Sequence, residues 1–180
     1  MNRVQLFLSS TAFSVLLAGC SAEPASNAGF SQEQIGIYDS RAIAIAFTGG
    51  EVFQETMKEM RQEYEQATAA GDEATLTRID TLMRERQKLL HAQGFSTAPV
   101  NELLDHYSDA LPALLEKAGV SALISKWDGE ALSEHSEVRR VDMTESLVDL
   151  ITADPKQRKA AMKILDQDPV PSESLEDHDD

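Results

Sequence analysis

Cysteine occurs once in this chain, at Cys20, so no disulfide can close within it, and no second thiol or nearby histidine completes a metal site with it. Positive charge is scarce, with 16 Lys and Arg against 31 Asp and Glu and a net charge of −15. A surface of that sign repels a polyanion, which argues against nucleic acid as a partner and against direct contact with anionic lipid headgroups. Aromatic residues make up 6% of the sequence, including one tryptophan, a content that suits an elongated helical protein better than a compact enzyme. The longest apolar run, from Val4 to Ala18, is too short and too interrupted by Ser and Thr to span a bilayer comfortably.

Catalytic signatures are missing too. G-x-S-x-G, H-E-x-x-H, a phosphate-cradling glycine loop and an EF-hand ladder do not occur, and Gly49-Gly50 reads as a breaker. His91, His106, His135 and His178 show no metal-ligand spacing. Asp105 and His106 are adjacent, so on a helix their side chains diverge by about 100° and make no dyad unaided. Ser40 and Ser125 have no placed base, and Trp127 at a strand end suits a lid over a core. The expectation is a non-enzyme without metal or cofactor.

What is present begins around the lone thiol. "MNR" forms a short positive n-region and "VQLFLSSTAFSVLLA" an apolar h-region of secretory type. Leu17-Ala18-Gly19-Cys20 then resembles the lipobox of bacterial lipoproteins. The resemblance implies a signal peptide at 1–19 and an acylated Cys20, where more than one acyl chain makes a stable membrane anchor. Ser21 in place of Asp after the acylated cysteine points to the outer membrane, with the chain facing the periplasm. Removing 1–19 takes away Arg3 alone among charged residues and moves the net charge from −15 to −16. Residues 20–33, small and polar, read as a flexible tether.

Beyond the tether one domain is expected over 34–165. "QIGIY" is a short strand ended by Asp39-Ser40, and "RAIAIAF" fits helix or strand equally. From Glu51, Phe53, Met57, Met60, Tyr64 and Ala67 recur at 4-3-4-3 spacing, the seam of a coiled-coil helix with a charged outer face. Gly71 fits the residue after a helix end and Asp72 the cap of the next helix. That second helix carries Leu76, Ile79, Met83 and Leu90 on its seam, interrupted by Arg86, with Asp80 and Arg84 placed for an i,i+4 pair. The spacing predicts an antiparallel two-helix arm over about 51–93, roughly 30 Å long. Gly94 should stop it, Ser96 or Thr97 should cap the next helix, and Pro99 suits its first turn. A broad apolar stripe from Val100 to Ala118 predicts a helix lying on the core, kinked or split at Pro112 and ended by Gly119.

"VSALISK" follows as a buried strand, turned by Trp127-Asp128-Gly129, then "EALSEH" as a short helical turn and "EVRRV" as a half-exposed strand. Asp142-Met143-Thr144-Glu145 is a capping-box pattern opening "MTESLVDLI", and Asp154-Pro155 opens a last basic helix. Residues 166–180 hold seven acids, no Lys or Arg, and two prolines, the composition of a disordered tail. The whole predicts an α+β fold, a small β-sheet body with a projecting antiparallel two-helix, coiled-coil-like arm.

The order strand, long helical excursion, strand after "KAGV", bend, strand and capped helix resembles the Skp/OmpH family of periplasmic chaperones. The resemblance is carried by "IGIY", the arm region and "AGVSALISKWDGEALSEHSEVRRVDMTESLVDLI", and it covers about residues 33–151. It implies a small β body with two-helix arms, assembly as a trimer that closes a cavity between arms, and holdase activity without ATP toward unfolded outer-membrane or periplasmic proteins. The candidate client contacts are then the arm-seam residues Phe53, Met57, Met60, Tyr64, Leu76, Ile79, Met83 and Leu90, whose methionines offer adaptable apolar surface. Seam packing between the two arm helices accounts for the same residues. The chain departs from the basic, soluble members of that family in its acidity, its lipobox and its extra C-terminal helix and tail. The rival expectation is a non-catalytic scaffold or partner-binding envelope lipoprotein.

Overall fold

The structure is a computed structural model and describes residues 33–176. The signal peptide, Cys20 and all of the tether but Glu33 lie outside the described residues, as do 177–180 of the acidic tail. The chain is α+β, mostly helical, around a small parallel sheet of three strands.

β1 (Gln34–Tyr38) is the expected first strand and occupies the middle of the sheet. Asp39 ends it and caps α1 (Ser40–Gly49), its carboxylate accepting from the Arg41 N–H at 3.0 Å. The ambiguous "RAIAIAF" is therefore helix, and its alternation has a packing cause. Ala42, Ile43, Ala44, Ala46 and Phe47 are all buried, because α1 is covered on several sides at once. A helix apolar all round is a core helix, and its alanines let neighbouring helices approach closely. Full burial of each large side chain here is worth about 1.5–3 kcal/mol.

α2 (Glu51–Ala70) and α3 (Glu73–Phe95) are joined as the sequence predicts. Gly71 adopts φ 67°, the left-handed conformation that costs a side chain, and its N–H caps Ala67 and Thr68 carbonyls. Asp72 accepts from the Thr75 N–H at 3.1 Å. The i,i+4 pairing at Arg84 takes another form, its Nε donating to the Asp80 main-chain oxygen at 3.3 Å.

Gly94 does not stop α3. It is buried inside the last turn without a positive φ, and a Cβ there would meet Ile45 at 3.6 Å, an ordinary contact, so neither conformation nor crowding requires glycine at this position. The helix ends at Ser96, whose N–H returns to the Ala92 oxygen, so Ser96 is a C-terminal rather than an N-terminal cap. Pro99 lies outside the next helix, its carbonyl accepting from Gln93 Nε2 at 2.8 Å. The apolar stripe splits, as expected, into α4 (Asn101–Asp105) and α5 (Leu111–Ala118); the break is a turn over 106–110, Pro112 stands in the first turn of α5, and Gly119 closes α5.

β2 (Leu123–Ser125) pairs parallel with one side of β1, aligning Gly36 with Leu123 and Tyr38 with Ser125. α6 (Gly129–Glu134), capped by Asp128, leads to β3 (Arg139–Asp142), parallel to the other side of β1. α7 (Thr144–Ile151) departs from the capping-box expectation. Asp142 Oδ1 accepts from the Thr144 N–H at 2.9 Å, the Thr144 hydroxyl accepts from the Asp39 N–H at 3.1 Å, and Glu145 pairs with Arg158 instead of returning to the cap.

α8 (Pro155–Lys163) is capped by Asp154 and packs on α1, followed by a 3-10 turn at Ile164–Asp166. Within the segment read as tail, the Val170 N–H donates to the Phe95 oxygen at 2.8 Å, and a short α9 (Ser172–Glu176) contacts α3. The main core joins α1 with Val100, Leu103 and Leu104 of the α4 region, Met143, Leu147, Val148 and Ile151 around α7, and Ala161 and Ile164.

Candidate binding surfaces

The seam residues named from the sequence meet between α2 and α3, and they are incompletely covered. Ala67 and Ile79 are buried, but Tyr64 is 42% exposed, and Leu82, Leu89 and Phe95 on α3 are exposed to a similar degree. Phe53, Met57, Met83 and Leu90 line an open depression of about 240 Å³, with Arg86 beside them. Met57, Met60, Tyr64, Ile79 and Met83 line a second of about 330 Å³. Leu76 is half-buried near the start of α3.

Phe53 stands edge-on to the core ring of Phe47, centroids 5.9 Å apart, and the Arg86 guanidinium lies 5.6 Å over its face. The seam's interruption at Arg86 is thus a cation–π contact that covers an aromatic ring. Arg78 and Glu63 form an exposed ion pair across the two helices. Among the described residues no helix is long and apolar enough to cross a membrane, and no group of three His, Cys, Asp or Glu could hold a metal ion.

A second constellation escaped sequence reading. At the carboxyl end of β1, Asp39 gathers five donors. Its Oδ1 accepts from the Arg41 N–H at 3.0 Å, Arg41 Nε at 3.1 Å and Trp127 Nε1 at 3.2 Å, while its Oδ2 accepts from an Arg41 guanidinium nitrogen at 2.8 Å and Lys126 Nζ at 2.7 Å. Arg41 spends its remaining terminal nitrogen on the Gln167 carbonyl at 2.8 Å. Arg41 and Lys126 also lie over the Trp127 ring, at 5.0 and 4.5 Å from its centroid.

Burial pushes the Asp39 carboxyl toward a higher pKa, but hydrogen bonds from Arg41, Lys126, Trp127 and the Arg41 backbone outweigh it and hold the group below the ordinary carboxylate value. Trp127 is therefore a hydrogen-bond donor to Asp39 and a ring that both cations contact. The signal available in the sequence was Arg41 itself, a charge set among apolar residues directly after a capping aspartate. A buried guanidinium requires a partner carboxylate.

Beside this cluster runs a groove of about 390 Å³. Leu123, Ile124 and Ser125 of β2 line it with Tyr38, Trp127 and Asp128, and Thr97, Pro99 and Asn101 line it from the segment entering α4. Consecutive strand residues point to opposite faces, so a cavity touching all three follows the strand's edge. Burial raises the Tyr38 hydroxyl pKa, and the Asp128 charge raises it further, so Tyr38 stays protonated at neutral pH.

No protein-family model matches this chain, and no match is found among curated proteins or among solved structures.

Proposed function

We propose that this chain is a membrane-anchored, ATP-independent holdase of the bacterial envelope. In this reading α2 and α3 are an antiparallel arm that holds exposed apolar segments of unfolded outer-membrane or periplasmic proteins. The observation that carries the reading is the open seam, where Phe53, Met57, Met60, Tyr64, Met83 and Leu90 line two depressions that the described residues leave open. The arm geometry is supported by the contacts along it. Phe53 near the start of α2 meets Arg86 late in α3, and Glu63 further along α2 meets Arg78 earlier in α3. Met-rich, incompletely packed surface adapts to many partners, and the flanking charges keep such a surface soluble.

The test is aggregation of a denatured outer-membrane β-barrel protein, followed by light scattering with the full-length chain in lipid nanodiscs and no ATP. Protection is expected, and it should hold or rise with salt, because salt screens the repulsion between an acidic holdase and acidic clients. Replacing residues 54–90 by a short Gly-Ser linker should abolish it. Failure to protect any client at any salt concentration would replace this reading by the scaffold that binds one folded partner.

A further inference from the structure

We propose that the outer edge of β2 captures an extended polypeptide segment as an added strand, seated in the groove beside it. The inference deepens the holdase reading and rests on it for the partner's identity, an unfolded stretch of client.

The strand register decides which main-chain groups are open. The Gly36 N–H donates to the Ala122 oxygen and the Lys126 N–H to the Tyr38 oxygen, both at 2.8 Å. With Gly36 aligned to Leu123 and Tyr38 to Ser125, positions 122, 124 and 126 face β1. The backbone groups of Leu123 and Ser125 therefore point away from the sheet. The Ser125 carbonyl accepts from the Asp128 N–H at 3.0 Å, and among the described residues nothing meets the Leu123 N–H, the Leu123 carbonyl or the Ser125 N–H. Three open main-chain groups at strand spacing, inside a groove, are matched in kind by another main chain.

The opposite edge of the sheet is guarded. The Met143 N–H donates to the Ile37 oxygen, so on β3 the outward positions are Arg140 and Asp142, both charged and exposed. Charged edges discourage strand addition. β2, reading Leu-Ile-Ser, carries no such guard. Thr97, Pro99 and Asn101 face it across the groove, so a strand added there lies between β2 and that wall. Half-buried Trp127 offers ring surface to the incoming side chains, while Tyr38, buried in the core, reaches the lining at its edge. Asp128 is the charged residue of the lining, which favours a segment that is mainly apolar with one basic residue.

The experiment uses the full-length chain in lipid nanodiscs and an eight-residue probe peptide that alternates valine and threonine with one central lysine. Amide hydrogen exchange read by NMR should slow at least tenfold at Leu123 and Ser125 on saturation, and stay unchanged at Arg140 and Asp142. The same peptide with N-methyl groups at alternate residues should bind about tenfold more weakly, the cost of one or two missing hydrogen bonds. Leu123→Pro removes an outward donor without touching the β1 ladder and should weaken binding similarly. If that variant fails to fold, the exchange and N-methyl measurements on the unaltered chain still decide. Equal binding of the N-methylated peptide, or protection confined to α2 and α3, overturns the proposal. Protection at Leu123 that grows with protein concentration and no peptide also overturns it, in favour of a second copy. Peptide capture with no protection of denatured clients would sink the holdase reading and leave this inference standing.

Discussion

Arg41 and Asp39 form an ion pair in which both side chains are 1% exposed, two residues apart at the junction of β1 and α1. The guanidinium reaches the carboxylate through Nε at 3.1 Å and a terminal nitrogen at 2.8 Å, so the pair is held by two bonds. Breaking such a pair from one side strands a buried charge, which typically costs about 3–5 kcal/mol. Arg41→Met is expected at the lower end of that range, because Lys126 continues to neutralise Asp39. Urea unfolding measures it, and the Asp39→Asn, Arg41→Met double variant should recover part of the loss through coupling. A single-variant cost below 0.5 kcal/mol, on the order of an exposed pair's contribution, would mean that the buried pair adds no net stability.

The pH response follows from the sign of the Asp39 shift. Its folded pKa lies below the ordinary value of 3.8, so the folded state favours the ionised form. The stabilisation is complete well above 3.8 and is lost as pH falls below that value through the depressed folded pKa. Urea midpoints between pH 6 and pH 2 should therefore fall more steeply for the unaltered chain than for Asp39→Asn. Parallel curves for the two would show that Asp39 carries none of the acid sensitivity.

The connection between α2 and α3 depends on the left-handed Gly71. Gly71→Ala should lower stability by about 1–2 kcal/mol, the cost of a Cβ in that conformation, whereas Gly71→Asn should cost less. Nothing stands within 4 Å of a Cβ at this position, so the effect is conformational and not a clash. Thermal melts of the two variants separate the terms, since a steric origin would make asparagine the worse substitution.

Acylation of Cys20 is tested by metabolic labelling with a fatty-acid analogue. The chain should incorporate the label and fractionate with membranes, and Cys20→Ala should abolish incorporation and leave the precursor unprocessed. Labelling that persists in Cys20→Ala would locate the lipid elsewhere and remove the proposed anchor.

Much of the chain's punctuation was legible because it is local. Gly71-Asp72, Pro112, Gly119, Asp128 and Asp154 act through their own φ preferences or through hydrogen bonds to residues two or three positions away. The seam of α2 and α3 was legible because heptad spacing places its residues on one face whatever surrounds them. α1 was not, since Ile and Ala in alternation satisfy a strand as well as a helix that is buried all round. Gly94 misled as well. A glycine near a helix end signals termination when it takes a left-handed conformation, as Gly71 and Gly119 do, but this one keeps a helical conformation that any residue adopts, and α3 runs on to Phe95.

By itself, then, the sequence determined the boundaries at Gly71-Asp72, Gly119 and Asp154, the apolar face that α2 and α3 share and the acidic surface. Tertiary structure alone decided the parallel direction and β2-β1-β3 order of the strands, the partners of Arg41, and the open edge of β2. Those features join groups far apart in the chain, Asp39 meeting Trp127 88 positions later and Thr144 105 positions later. A local pattern states which residues need a partner, because a buried charge or an unpaired strand group is costly. It does not state which partner arrives, because that is settled only when distant segments compete for the same space in the folded chain.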